Sequence, residues 1–281
     1  MPELPEVETT ARLLRPDLVG RSIQSIDAHW ARSVGERGPS FFRRGVVGAQ
    51  IEAVDRRAKY VVLHLSRHGA AAGVILVHLR MSGRLYVEPT GSEVGDWVRV
   101  SVELDRGVLR FLDVRKFGRI TFHEDPMEVF SKLGPEPLED AFTAEVFRRM
   151  LRSRRRVLKP LLLDQAFLAG LGNIYVDEAL HRAGIHPLRR ADRLGRDDAL
   201  RLHGEIRQTL QEAIAREGSS FDAFYRTPEG QPGSYQHQFQ VYGRAGRECR
   251  SCGRQIVRIV VAQRGTHLCT RCQPAPRPRR S

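Results

Sequence analysis

Acid is scarce in this chain relative to base, cysteine is rare, and long apolar runs are missing. Asp and Glu total 33 against 46 Lys and Arg, a formal charge of +13 over 281 residues. No apolar run approaches the roughly 18 residues that a membrane-spanning helix needs. The opening Met1-Pro2-Glu3-Leu4-Pro5-Glu6 carries acid where a secretion signal carries base. There is no basic amphipathic helix, no lipidation signal and no internal repeat. These absences lead us to expect a cytoplasmic protein that is not secreted and has no membrane partner. The positive field favours polyanions, nucleic acid first. An Arg-rich composition without such a partner would give the same balance.

The four cysteines form two CxxC pairs, Cys249/Cys252 and Cys269/Cys272, separated by sixteen residues. Disulfides are disfavoured inside cells, so this spacing reads as a zinc ribbon with one structural Zn²⁺. Four thiolates leave no open coordination position, so the ion would hold the fold and do no chemistry. A redox role for one CxxC is the lesser alternative. Between the pairs, Ile256, Val257, Ile259 and Val260 favour strands, and Gln263-Arg264-Gly265-Thr266 reads as a hairpin tip.

With hydrophobic residues at 41%, the length admits two domains, or one large domain with a small satellite. Residues 5–19 read as a helix on Val7, Ala11, Leu14 and Leu18, with Pro5 at its start and Gly20 at its end. Strand-like segments follow at 46–54, 59–65, 74–79, 84–88, 97–104 and 108–112, which suggests a β-sandwich or barrel. Beyond Gly134-Pro135-Glu136-Pro137 the pattern turns helical, over 143–152, 159–168, 173–183 and 197–216. A Gly-, Pro-, Ser- and Gln-rich loop spans 226–236, and a Pro- and Arg-rich tail closes the chain.

Pro2 has two readings. Pro and Glu are ordinary residues at the start of a helix. Removal of Met1 would instead turn the Pro2 nitrogen from a tertiary amide into a secondary amine, able to attack a sugar C1′ and form an iminium. The positive end of the first helix would disfavour the protonated amine, and Glu3 and Glu6 could move protons beside it.

The opening Met1-Pro2-Glu3-Leu4-Pro5-Glu6-Val7-Glu8-Thr9 resembles that of bacterial formamidopyrimidine-DNA glycosylases, the 8-oxoguanine DNA glycosylase family. The resemblance runs along nearly the whole chain. It includes Arg57-Ala58-Lys59-Tyr60, His78-Leu79-Arg80-Met81-Ser82-Gly83, Arg115-Lys116-Phe117-Gly118, Gly170-Leu171-Gly172-Asn173-Ile174-Tyr175, Ala183-Gly184-Ile185-His186-Pro187, Val241-Tyr242-Gly243-Arg244 and the cysteine module.

The resemblance implies an α+β multidomain protein. Its parts would be an N-terminal β-sandwich (1–137), a helix-two-turns-helix domain (138–228) and a four-cysteine zinc finger (240–274), while the Pro- and Arg-rich composition of 275–281 reads by itself as a disordered tail. It implies a monomer acting on damaged double-stranded DNA, with Pro2 as the Schiff-base nucleophile and Glu3 and Glu6 as acidic groups of that site. Lys59 would serve β-elimination and Arg264 δ-elimination. Met81, Arg115 and Phe117 would fill the gap left by an extruded nucleotide. Arg154, Lys159, Asn173 and Tyr242 would contact DNA, and Ser219–Tyr235 would close over the flipped base.

The chain departs from the family pattern at Arg80, where Gly is usual, at Val114 for Pro, at Gly95-Asp96-Trp97 and at Glu248. A preference for oxidised pyrimidines, or damage binding without catalysis, are the competing functions. Leu4 and the long Ser219–Tyr235 loop argue against the first. The joint presence of Pro2, Glu3, Lys59 and Arg264 argues against the second.

Overall fold

The computed structural model describes residues 1–221 and 225–276; the tail from 277 onward lies outside them. The chain divides into two compact units. One comprises Met1–Lys132 with Ile214–Gln236, and the other Leu133–Ala213 with the chain from His237.

In the first unit, α1 (Leu4–Leu18) lays Leu4, Val7, Ala11, Leu14 and Leu18 along one buried stripe. Eight strands follow: β1 (Ile23–Asp27), β2 (Gln50–Arg57), β3 (Tyr60–Arg67), β4 (Ala70–His78), β5 (Gly83–Glu88), β6 (Val98–Leu104), β7 (Val108–Asp113) and β8 (Arg119–His123), with α2 (Gly38–Val46) between β1 and β2. They form two antiparallel four-stranded sheets, ordered β2-β3-β4-β8 and β1-β6-β7-β5. Val61, Leu63, Ile75, Val77 and Ile120 from one sheet share a core with Leu85, Val100, Val102, Leu109 and Phe111 from the other. Burying each such side chain contributes about 1.5–3 kcal/mol. Val62, Val74 and Leu76 face the other way and are covered by Tyr60, Val129 and Phe130, the last two from α3 (Met127–Phe130). Burial on both faces explains why β3 and β4 read as continuous apolar runs.

The expected strand at 46–54 is displaced. Phe42 and Val46, one helical turn apart, are the buried residues of α2, and the strand begins only at Gln50. The sequence reading also missed β1 and β8.

The second unit carries α4 (Ala144–Arg152), α5 (Leu158–Leu162), α6 (Asn173–Arg182) and α7 (Arg196–Ala215, whose last residues fall in the first unit), then the hairpin β9 (Val257–Val261) and β10 (Arg264–Leu268). Thr143 caps α4 by accepting from the Val146 amide at 3.2 Å. The helix expected over 159–168 stops at Leu162, where Asp164 turns the chain by accepting from the Ala166 amide at 3.1 Å. In the hairpin, Ala262 and Gln263 both have positive φ (46° and 62°) and form the two-residue turn, while Arg264 pairs with Val261 as the first residue of β10. The tip, centred on Ala262 and Gln263, therefore lies two residues earlier than the expected Gln263–Thr266. No helix among the described residues is long and apolar enough to cross a membrane.

Candidate functional site

In the first unit, Pro2 is buried immediately before Glu3, the N-cap of α1, while Met1 is 41% exposed. The N-terminal end of the helix dipole places partial positive charge beside the Pro2 nitrogen. Glu3 and Glu6 form a reciprocal capping box, in which the Glu3 amide donates to Glu6 Oε2 at 2.8 Å. Glu6 Oε1 accepts the Ser219 amide at 2.8 Å, and the Glu6 carbonyl accepts the Tyr225 hydroxyl at 3.3 Å. Both Glu6 oxygens thus hold backbone. A Cβ on Gly218 (φ +76°) would lie 2.7 Å from Glu6 Cγ, so only glycine permits this approach. The 219–235 segment is anchored again where Arg84 donates to the Thr227 and Pro228 carbonyls at 3.1 and 2.7 Å.

Lys59 lies in the turn between β2 and β3, after Ala58 at φ +53°, and is buried. It is near His78, whose imidazole is lowered to about 3 by burial first, then by the charges of Arg80 and Lys59. Neutral His78 accepts the Arg80 amide on Nδ1 at 3.1 Å and meets the Tyr60 ring edge-on. Arg80 is exposed with φ +54°, a left-handed conformation that glycine adopts without strain. Arginine is therefore the costlier residue here than glycine would be.

Two loops carry the expected void-fillers. Met81 sits half-buried between β4 and β5; Arg115 and Phe117 sit between β7 and β8, with Phe117 51% exposed. The Arg115 guanidinium stacks over the Phe117 ring, 5.2 Å from its centroid. Asp113 at the end of β7 is fully buried and accepts from both loops. The sequence reading passed over it, although an aspartate opening a turn is a recognisable signal.

In the second unit, the four cysteine sulfurs lie within 4.8 Å of one another. Cys249 and Cys272 are 3.8 Å apart, Cys252 and Cys269 3.4 Å. A tetrahedral ion with zinc–sulfur bonds of about 2.3 Å needs sulfurs roughly 3.8 Å apart, so the cluster fits one zinc ion. Burial, then the neighbouring sulfurs, push the Cys272 thiol up, so four thiolates require a cation to coexist.

Two acids on α6 brace the cysteine module. Glu178, whose carboxyl burial pushes up, accepts the amides of Gln240, Val241 and Tyr242 at 2.8–2.9 Å. Asp177 pairs with Lys159 Nζ at 2.6 Å and accepts the His267 amide at 2.9 Å.

Lys159 corrects the sequence expectation. Its side chain is 0% exposed, and its ammonium also donates to Thr266 Oγ1 at 2.8 Å and the Gly265 carbonyl at 3.1 Å. All three protons are committed internally, so no proton remains for a phosphate. Arg154 and Arg264 are exposed. Asn173, the first residue of α6, donates to the Gly265 carbonyl at 2.9 Å at that helix's N-terminal end. The Tyr242 ring stands edge-on to His267.

Family models match the chain in this order: the formamidopyrimidine-DNA glycosylase N-terminal domain over 1–120, the H2TH domain of that glycosylase over 133–224, and a zinc finger shared with isoleucyl-tRNA synthetase over 246–275. The formamidopyrimidine-DNA glycosylase of Symbiobacterium thermophilum is 43% identical, covering 98% of this chain and 90% of its own. A crystal structure of the Thermus thermophilus protein superposes with a TM-score of 0.86 at 40% identity, covering 98% of this chain and 100% of that one. The Lactococcus lactis enzyme, solved noncovalently bound to DNA containing an abasic site, gives 0.87 at 36% identity over 97% of this chain and 100% of its own. With the sandwich, the four-cysteine cluster and the proline-led first helix in place, this chain belongs to the formamidopyrimidine-DNA glycosylase family.

Proposed function

We propose that the protein excises oxidised purines, 8-oxoguanine and formamidopyrimidines, from duplex DNA and then cuts the strand as a lyase. It works as a monomer in the cytoplasm, on the chromosome, with no membrane partner. Three structural parts serve it: 1–137 for chemistry, 138–228 for the duplex, and 240–274 as the zinc-held clamp. The observation that carries this reading is Pro2, buried at the positive end of α1 and flanked by Glu3.

Once Met1 is removed, the Pro2 nitrogen lone pair attacks C1′ of a flipped nucleotide. The C1′–base bond breaks and the base leaves with a proton. Glu3 shuttles protons between base and sugar as the ring opens to an iminium. The iminium acidifies the 2′ proton. Loss of that proton expels the 3′ phosphate, a second elimination expels the 5′ phosphate, and water releases Pro2. Lys59 serves the first elimination and Arg264 the second. Glu6, the second acidic group of the site, holds Ser219 at the start of the segment closing over the base. Met81 and Phe117 fill the vacated stack, offsetting the few kcal/mol that unstacking costs, and Arg115 donates to the orphaned base. Arg154, Asn173 and Tyr242 serve the DNA backbone.

Excision from 8-oxoguanine:cytosine and thymine glycol:adenine duplexes, measured side by side, tests the substrate class. Faster release from the first is expected. Faster release from the second would overturn it in favour of oxidised pyrimidines.

A further inference from the structure

The two void-filling loops leave the sandwich side by side. Each crosses from one sheet to the other, β4 to β5 and β7 to β8. His78 pairs with Arg119 at the end of one ladder, and Gly83 pairs with Asp113 at the end of the next. Both loops therefore start and finish on shared rungs. Between these rungs sits one buried carboxylate. Asp113 Oδ1 accepts the Ser82 hydroxyl at 2.5 Å and the Arg115 amide at 3.2 Å, and Oδ2 accepts the Gly118 amide at 2.7 Å. The Arg115 amide also donates to Ser82 Oγ at 3.2 Å. Ser82 is 4% exposed and Asp113 0%. A Cβ on Gly118 would come 2.5 Å from Phe111 Cζ and 3.1 Å from Asp113 Oδ2, so the turn is packed tightly onto the acid. The same residue is fixed from behind, where Arg99 Nε donates to its carbonyl at 2.8 Å.

We propose that Asp113, with Ser82, is a positioning group that locks the Met81 loop and the Arg115–Phe117 loop into a single reading element and so sets discrimination of the base opposite the lesion. This rests on reading those three side chains as void-fillers. Met81 follows Arg80 and directly precedes Ser82; Arg115 and Phe117 lie between Asp113 and Gly118. Every void-filler is thus within two residues of a group bonded to the carboxylate. A shift in one loop must then move the other. Asparagine at this position has one acceptor oxygen where three donors converge, so at least one donor is left facing an NH₂ group.

The test uses the full-length, zinc-loaded, Met1-processed protein as wild type, Asp113→Asn and Ser82→Ala. Three rates are read: excision of 8-oxoguanine opposite cytosine, the same opposite adenine, and strand cutting at a preformed abasic site, where no base must be unstacked. The proposal expects Asp113→Asn to lose about tenfold in excision opposite cytosine and to bring the cytosine-to-adenine ratio toward one. Cutting at the abasic site should fall much less. Ser82→Ala should move the ratio the same way to a smaller extent, and it carries the test if Asp113→Asn fails to fold. Both folded variants keeping the wild-type ratio would overturn the proposal, as would all three rates falling in parallel. Failure of the wild type to excise 8-oxoguanine at all would instead overturn the reading of function beneath it.

Discussion

Replacing Lys159 by alanine decides between two descriptions of the residue, a phosphate contact and a buried brace. Lys159 and Asp177 are both 0% exposed as side chains, and the ammonium has three acceptors at 2.6, 2.8 and 3.1 Å. Removing the lysine leaves the Asp177 carboxylate buried with the His267 amide as its remaining strong donor. Breaking a buried pair from one side costs about 3–5 kcal/mol. At roughly 2–4 °C per kcal/mol, the unfolding temperature should drop by about 10 °C. Zinc should become easier to extract, because Thr266 and His267 lie on the hairpin strand that leads to Cys269. Lys159→Met combined with Asp177→Leu removes both charges and should recover a good part of the loss. A phosphate contact predicts something else: little thermal change, and a log–log salt slope for duplex binding smaller by about 0.9. Calorimetry and binding titrations at several salt concentrations read both. An unfolding temperature within about 2 °C of wild type, together with a reduced slope, would refute the brace.

Two further predictions concern the β4–β5 region. His78 is neutral when folded, its pKa lowered to about 3, but takes a proton near pH 6.5 when unfolded. Its contribution to stability is therefore complete above about pH 6.5 and is lost progressively as pH falls toward 3, about 2 kcal/mol between pH 7.5 and 5. His78→Asn keeps an acceptor for the Arg80 amide and should flatten that dependence in denaturant titrations; an unchanged slope would contradict the assignment. Arg80→Gly relieves a left-handed arginine at φ +54° and should raise stability by roughly 0.5–1 kcal/mol. A loss of similar size would show that the side chain makes a contact worth more than the strain.

What could be read from the sequence follows the range of each interaction. The stripe Val7, Ala11, Leu14, Leu18 and the paired CxxC motifs are local patterns, and both formed as read. β8 was legible, since Ile120 and Phe122 alternate with outward residues, and so was α2 from Phe42 and Val46. β1 was harder, because a bulge between Ile23 and Ser25 breaks its alternation. The braces were out of reach. Glu6 to Ser219, Glu178 to Val241 and Lys159 to Thr266 span 213, 63 and 107 residues, and no periodicity encodes such partners. Lys159 shows the consequence: in a run of arginines it looks like surface charge, and only its distant partners turn it inward. Ser82 stood inside a recognised motif and Asp113 two residues before another, but their common role needs two loops to meet across a sheet rung.

The central claim is that the Pro2 nitrogen, released by removal of Met1, forms the covalent intermediate. Borohydride reduction of the protein on a duplex carrying one abasic site, followed by intact mass and peptide mapping, tests it most directly. The account predicts an adduct on a chain lacking Met1, mapped to Pro2, and no adduct when an extra residue blocks the terminus. An adduct on a lysine, or full activity from protein that retains Met1, would contradict it.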